Sequence, residues 1–114
     1  MKQVLFHEMA LLQLSESIEQ LVEKGYFSEE DYAVDYVRDI VRYFSINLNN
    51  LKAHPAPSFF NRYSIEKKLP LHYVVYRKSS RTTWYAFFEE LDNTYSIVYL
   101  GTNQLIGHHL DLSL

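Results

Sequence analysis

From Met9 onward, apolar residues recur at steps of three and four. Leu11, Leu14, Ile18, Leu21 and Val22 share one helical face, and Glu16, Glu19, Gln20 and Glu23 fall elsewhere. The pattern predicts a first helix from Met9 to about Lys24. There, Lys24-Gly25 offers a last-turn cation and a residue suited to a left-handed cap. Lys2–Phe6 ahead of it is short and apolar and reads as a strand or a lead-in. Ser28-Glu29-Glu30-Asp31 starts a second helix, because Ser28 can accept from a first-turn amide and the acids complement the macrodipole. Tyr26 or Phe27 can staple that cap. Ala33, Tyr36, Val37, Ile40, Val41, Phe44 and Leu48 continue the stripe, so helix two spans about Glu29 to Asn47. The two helices form a hairpin that should bury Leu14, Ile18, Tyr36, Ile40 and Phe44 against a sheet.

Asn49-Asn50 and Ala53-His54-Pro55-Ala56-Pro57 stop helical structure and read as a linker. Beyond Pro57 the period becomes two. Strands are expected at Phe59–Glu66, Leu71–Lys78, Thr82–Glu90 and Thr94–Leu100, with turns at Lys67–Pro70, Ser79-Ser80-Arg81 and Leu91-Asp92-Asn93. His72, Val74 and Tyr76 face one way, and Tyr73, Val75 and Arg77 the other; Thr83, Tyr85 and Phe87 oppose Trp84, Ala86 and Phe88. Gly101 should break the last strand, leaving Thr102–Leu114 as a loop with a weak apolar end. The expected architecture is α+β in one domain, residues 1–114: a short N-terminal strand, then a helical hairpin packed on a twisted antiparallel sheet, in the order β-α-α-β-β-β-β.

Composition adds three constraints. The 114 residues suit one domain, which buries roughly two-thirds of its unfolded surface. With no Cys, disulfide frameworks, thiolate zinc sites and cysteine nucleophiles are excluded. No apolar run approaches the length of a membrane span, and Met1-Lys2-Gln3 leads into only three apolar residues, so a cytoplasmic protein without membrane contact is expected. The 16% aromatic share suggests a sheet that doubles as a surface. Charge is uneven: residues 1–51 sum to −5 and residues 52–114 to +2. Arg62, Lys67, Lys68, Arg77, Lys78 and Arg81 stand against one acid, Glu66, which suits either an anionic partner or a solubilised sheet edge.

Strand, helical hairpin and antiparallel meander is an order that resembles the RelE/ParE family of bacterial toxins. Glu23-Lys24-Gly25-Tyr26-Phe27-Ser28-Glu29-Glu30 looks like that family's link between helices. Leu71-His72-Tyr73-Val74-Val75-Tyr76-Arg77 is similar to its strand of the form "yR-apolar-apolar-Y", and Trp84–Phe88, the turn at Asp92 and Ile97–Leu100 to the strands that follow. The resemblance implies the toxin of a type II toxin-antitoxin (plasmid stabilisation) pair, neutralised by a cognate antitoxin. It implies metal-independent cleavage of ribosome-bound mRNA or poisoning of DNA gyrase, without a cofactor. A catalytically silent interaction module on the same fold is the alternative, and a homodimer is left open.

The implied ribonuclease chemistry uses the "yR" arginine and another just after the last strand. Here those places hold Tyr73 and, at or near it, Asn103, and neither offsets phosphate charge as a guanidinium does. Arg77, on the face of Tyr73, and Arg81 are the candidate replacements. His108-His109 sits where some relatives place a histidine, and His109 is the first choice for a proton donor. The candidate catalytic set is therefore His109, His108, Arg77, Arg81 and Tyr73, and the candidate partner-binding set Arg62, Arg77 and Arg81. Two adjacent histidines without a third ligand make a poor metal site. His7, His54 and His72 read as structural. Gly-rich phosphate loops, nucleophile elbows and helices with paired His are absent.

Overall fold

The computed structural model describes residues 2–23, 30–67 and 70–110, the side chains of Leu21, His108 and residues 30–33 excepted. The chain runs β1 (Gln3–Phe6), α1 (Glu8–Glu23), α2 (Glu30–Asn47), β2 (His54–Pro55), β3 (His72–Arg77), β4 (Thr83–Leu91), β5 (Thr94–Thr102) and α3 (Asn103–Ile106). Short 3-10 turns occupy Leu48–Asn50, Ser58–Tyr63 and Gly107–Leu110. The class is α+β, as expected. The cap at Lys24-Gly25, the staple residues Tyr26 and Phe27 and the start at Ser28 lie outside the described residues.

One five-stranded sheet has the order β1-β5-β4-β3-β2. It is mixed where an antiparallel sheet was expected, because β1 runs parallel to β5, from Gln3↔Thr94 to Phe6↔Ile97. No local pattern reports that pairing; it follows from where the hairpin returns the chain. Asn49, just past α2, secures the free side of the N-terminus: its amide donates to Lys2 O and its Oδ1 accepts from Lys2 N, both at 2.9 Å. Lys2 also pairs with Glu90.

α1 and α2 pack on one face of the sheet. Leu14, Ile18, Ile40, Phe44 and Leu48 meet Val74, Trp84, Ala86, Phe88, Ile97 and Leu100 there. Of the expected contact residues, Tyr36 is half-buried and the other four buried. The buried face of α1 is rotated from the expected stripe. Ala10 and Ser17 are buried, while Leu11 and Val22 are each 41% exposed. Small side chains at 10 and 17 let the helix settle close to the sheet, a choice that counting apolar residues misses.

The opposite face is covered as well. Phe60, Ala56, Ile106 and Leu110 lie against Leu71, Tyr85, Phe87 and Val98. The strand expected at Phe59–Glu66 is instead the 3-10 turn Ser58–Tyr63 followed by a loop. The reason is spacing: Phe60 stacks on Phe87 at 4.2 Å and Tyr63 lies 4.1 Å from Tyr99, and a three-residue period presents both to the sheet where a strand would separate them. The first strand of the meander is therefore the two-residue β2, inside the stretch read as a linker.

A bulge at Phe87/Phe88 shifts the β4–β5 register, pairing Phe87 with Tyr99 and Phe88 with Ile97. The extra residue puts Val98 and Tyr99 on the back face together, so that Ile97 and Leu100 both reach the helices. Gly101 does not end β5. A Cβ there would stand 3.0 Å from Tyr99 and 3.2 Å from Ile106, so the glycine permits α3 to fold back. The expected loop after Thr102 is thus α3 and the turn Gly107–Leu110.

Candidate functional site

The candidate residues separate into two groups. The first lies on the back face, around Phe59. His109 stacks on the Phe59 ring at 3.7 Å and 3°, and the Arg62 guanidinium sits 4.1 Å from the same centroid. Two groups that close to one centroid must occupy opposite faces of the ring. Arg62 is held there by its Nε–H, which donates to Phe59 O at 3.0 Å. Neither the spacing of Arg62 and His109 in sequence nor their type announces this sandwich; the 3-10 turn and the fold-back at Gly101 create it. Tyr73 belongs to the adjoining aromatic layer, 5.4 Å from Phe87, 5.9 Å from Tyr85 and 5.3 Å from His54. His108 offers no described side chain.

The second group is at the β3–β4 hairpin. Arg77 pairs across from Thr83 and is exposed, as is Arg81 in the loop. Asn103, at or near the implied second arginine position, serves the fold: its Oδ1 accepts from Thr83 N at 3.1 Å and its amide donates to Arg81 O at 3.4 Å. Thr83 and Phe87 stand four residues apart on β4, about 13 Å at the usual strand rise. His109 meets the sheet side through Phe59 and Phe60, and the two arginines stand at the β3–β4 hairpin end.

Two polar clusters escaped the sequence reading. At the helix side of β3, Asp39 accepts from Tyr76 Oη at 2.7 Å and from Lys78 Nζ at 2.6 Å. Tyr43 stacks on Tyr76 at 3.6 Å, and Trp84 Nε1 donates to Tyr36 Oη at 3.0 Å. Tyr36, Asp39 and Tyr43 lie three and four residues apart on α2, so helical spacing carried the signal. The Lys78 bond foremost, then the Tyr76 bond, holds the Asp39 carboxyl below its ordinary range. Burial first, then Asp39, pushes the Tyr76 phenol up to about 12.

Both shifts predict pH dependence. Asp39 stabilises the fold above its unfolded pKa, and the contribution disappears as pH falls through the lower folded value. Wild type should thus lose stability below about pH 4, relative to Asp39→Asn, in denaturant titrations. Tyr76 acts at the other end. Its stabilisation is complete below about pH 10 and is lost as pH rises to about 12. In absorbance titrations of phenolate, Tyr76→Phe should remove one late-ionising group.

The second cluster centres on Glu89, 2% exposed on β4. Its carboxylate accepts from Ser64 Oγ, from Ile65 N at 2.9 Å and from Glu66 N at 3.2 Å. Ser64 Oγ in turn accepts from Lys67 N at 2.9 Å, beside the left-handed Lys67 (φ 60°). Alternation placed Glu89 on the face of Tyr85 and Phe87, which marked it as a buried acid. It fastens the loop that carries the chain from Tyr63 toward β3.

Among the described residues, no group of three or more His, Asp or Glu could hold a metal ion, and no helix is long and apolar enough to cross a membrane. Comparison with protein-family models, curated proteins and solved structures finds no match to this chain.

Proposed function

We propose that this chain is a RelE/ParE-like component of a toxin-antitoxin pair that acts by binding proteins, its cognate antitoxin and a target such as DNA gyrase, and not by cutting RNA. The observation that carries this reading is the fate of Asn103. Its amide is spent on Thr83 and Arg81, close to where cleavage chemistry would need a guanidinium. The exposed Arg77 and Arg81 remain as contacts for an anionic partner.

The test is induced expression in a bacterial host, with mapping of mRNA ends and a supercoiling assay on purified gyrase. Unchanged mRNA ends, with growth arrest that tracks lost supercoiling and is relieved by the antitoxin, are expected. Inactivity in both assays leaves a catalytically silent interaction module.

RNA cleavage on the ribosome is the second reading, favoured by the sandwich of Arg62, Phe59 and His109. It places an imidazole that can protonate a leaving oxygen one ring away from a guanidinium that can offset phosphate charge. On that reading His109→Ala lowers cleavage about a hundredfold or more, and the His108→Ala/His109→Ala double variant more still. Cleavage that survives loss of both histidines removes them from the mechanism.

A further inference from the structure

β3 is paired along its whole length on one side, from His72↔Phe88 to Arg77↔Thr83. On its other side β2 meets it at His54↔Tyr73 and Pro55↔His72, with Ala56 N donating to Leu71 O at 2.7 Å. In an antiparallel ladder, alternate residues turn both backbone groups to the same side. Leu71 and Tyr73 face β2, so Val75 and Arg77 face the same way, beyond its end. Among the described residues, no strand pairs with that stretch.

An unpaired edge is a template for another strand, and proteins blunt such edges with short strands, proline or charge. The two-residue β2, with its Pro55, blunts the half around His72 and Tyr73. Around the other half, Val75 and Tyr76 are half-buried, as side chains are when one neighbouring strand is missing. The charge at this edge is positive. Arg77 and Arg81 are exposed, and Arg42 of α2 lies close enough to Asp39 to help lower its carboxyl. Asp39 itself is engaged by Lys78 and Tyr76.

We propose that the open edge of β3, residues Val74–Arg77, takes an extended acidic segment of a partner protein as a sixth strand. The backbone of Val75 and Arg77 supplies the hydrogen bonds, and Arg77 and Arg81 select for carboxylates. The inference rests on the protein-binding reading above and gives it a place. Arg62, taken up by Phe59, is not part of it. A second copy of this chain is the poorer occupant, since it would bring the same cations and its own β2 to the contact.

The test is NMR on the intact protein with two synthetic seven-residue peptides, alternating Val and Thr with either Glu or Lys. The Glu peptide should shift the Val75 and Arg77 amides and slow their exchange, more weakly at high salt. Arg77→Glu should weaken it roughly tenfold. Val75→Pro, at an edge position where proline is tolerated, should abolish it with melting still cooperative. Should that variant fail to fold, Arg77→Glu and the amide map decide. Equal binding of the Lys peptide, shifts that map elsewhere, or no binding of either peptide overturns the proposal; the last makes the cations mere blunting devices. Amide protection that grows with protein concentration alone assigns the edge to a second copy and also overturns it. The amide map bears on the edge and the cell assays on the wider reading, so either can fail without the other.

Discussion

Ile40→Asp should leave the chain without a cooperative fold. Ile40 is fully buried among Leu14, Phe44 and the sheet residues beneath α2. A carboxylate there would be packed among aliphatic and aromatic side chains, and an unpaired buried charge costs several kcal/mol even after relaxation. Domains of this size hold about 5–15 kcal/mol in total, so one such change consumes most of the margin. Circular dichroism should show no sharp thermal transition. Ile40→Val, which removes one methyl, should melt cooperatively and cost about 0.5–1.5 kcal/mol. A folded, cooperative Ile40→Asp would mean that α2 presents a different face to the sheet.

Glu89→Ala should cost about 2–4 kcal/mol, more than most changes at charged positions. The side chain is a hub, and its loss strands the Ser64 hydroxyl together with the Ile65 and Glu66 amides. Each buried donor left without a partner costs about 1–3 kcal/mol, less where water can enter, as beside the exposed Ile65. Glu89→Gln keeps one acceptor oxygen and should lose distinctly less. Chemical denaturation ranks the three proteins, and hydrogen exchange at the Ile65 and Glu66 amides locates the loss. If Glu89→Ala stays within about 0.5 kcal/mol of wild type, an ordinary surface effect, the loop is held by something else.

What could be read from the residues beforehand divides along the range of the interactions. α1 and α2 were legible because a 3.6-residue period is local, and β3, β4 and β5 because alternation between turn residues is local too. Even there, the rotation of α1 toward Ala10 and Ser17 and the bulge at Phe87/Phe88 depend on the surface each element meets. The parallel partner of β1, the two-residue β2 and the 3-10 turn at Phe60 are set by distant contacts and left no local trace. The candidate site divides in the same way. Tyr73 and Asn103 could be recognised as departures from a ribonuclease pattern. That Asn103 ties two neighbouring segments, or that Arg62 and His109 share one ring, emerges only once α3 has folded back. Glu89 is the instructive miss, since the same alternation that placed Phe87 inward also placed this acid inward.

The parallel pair of β1 and β5 also sets an order of events. β1 hydrogen-bonds through Gln3 N to Asn93 O and hands over to α1 where His7 N reaches Ile97 O. Its partner is made some ninety positions later in the chain. As the protein emerges during synthesis, the first strand has no neighbour to join, and the two helices must wait with their apolar faces turned toward a sheet that does not yet exist. Contacts this remote in sequence slow folding, because the loop between them must close before any of them forms. Lys2 can be caught early by Asn49, which arrives halfway through. The strand itself docks only when Ile97 is free to receive it, so any fragment that ends before Ile97 lacks the partner that seats its own beginning.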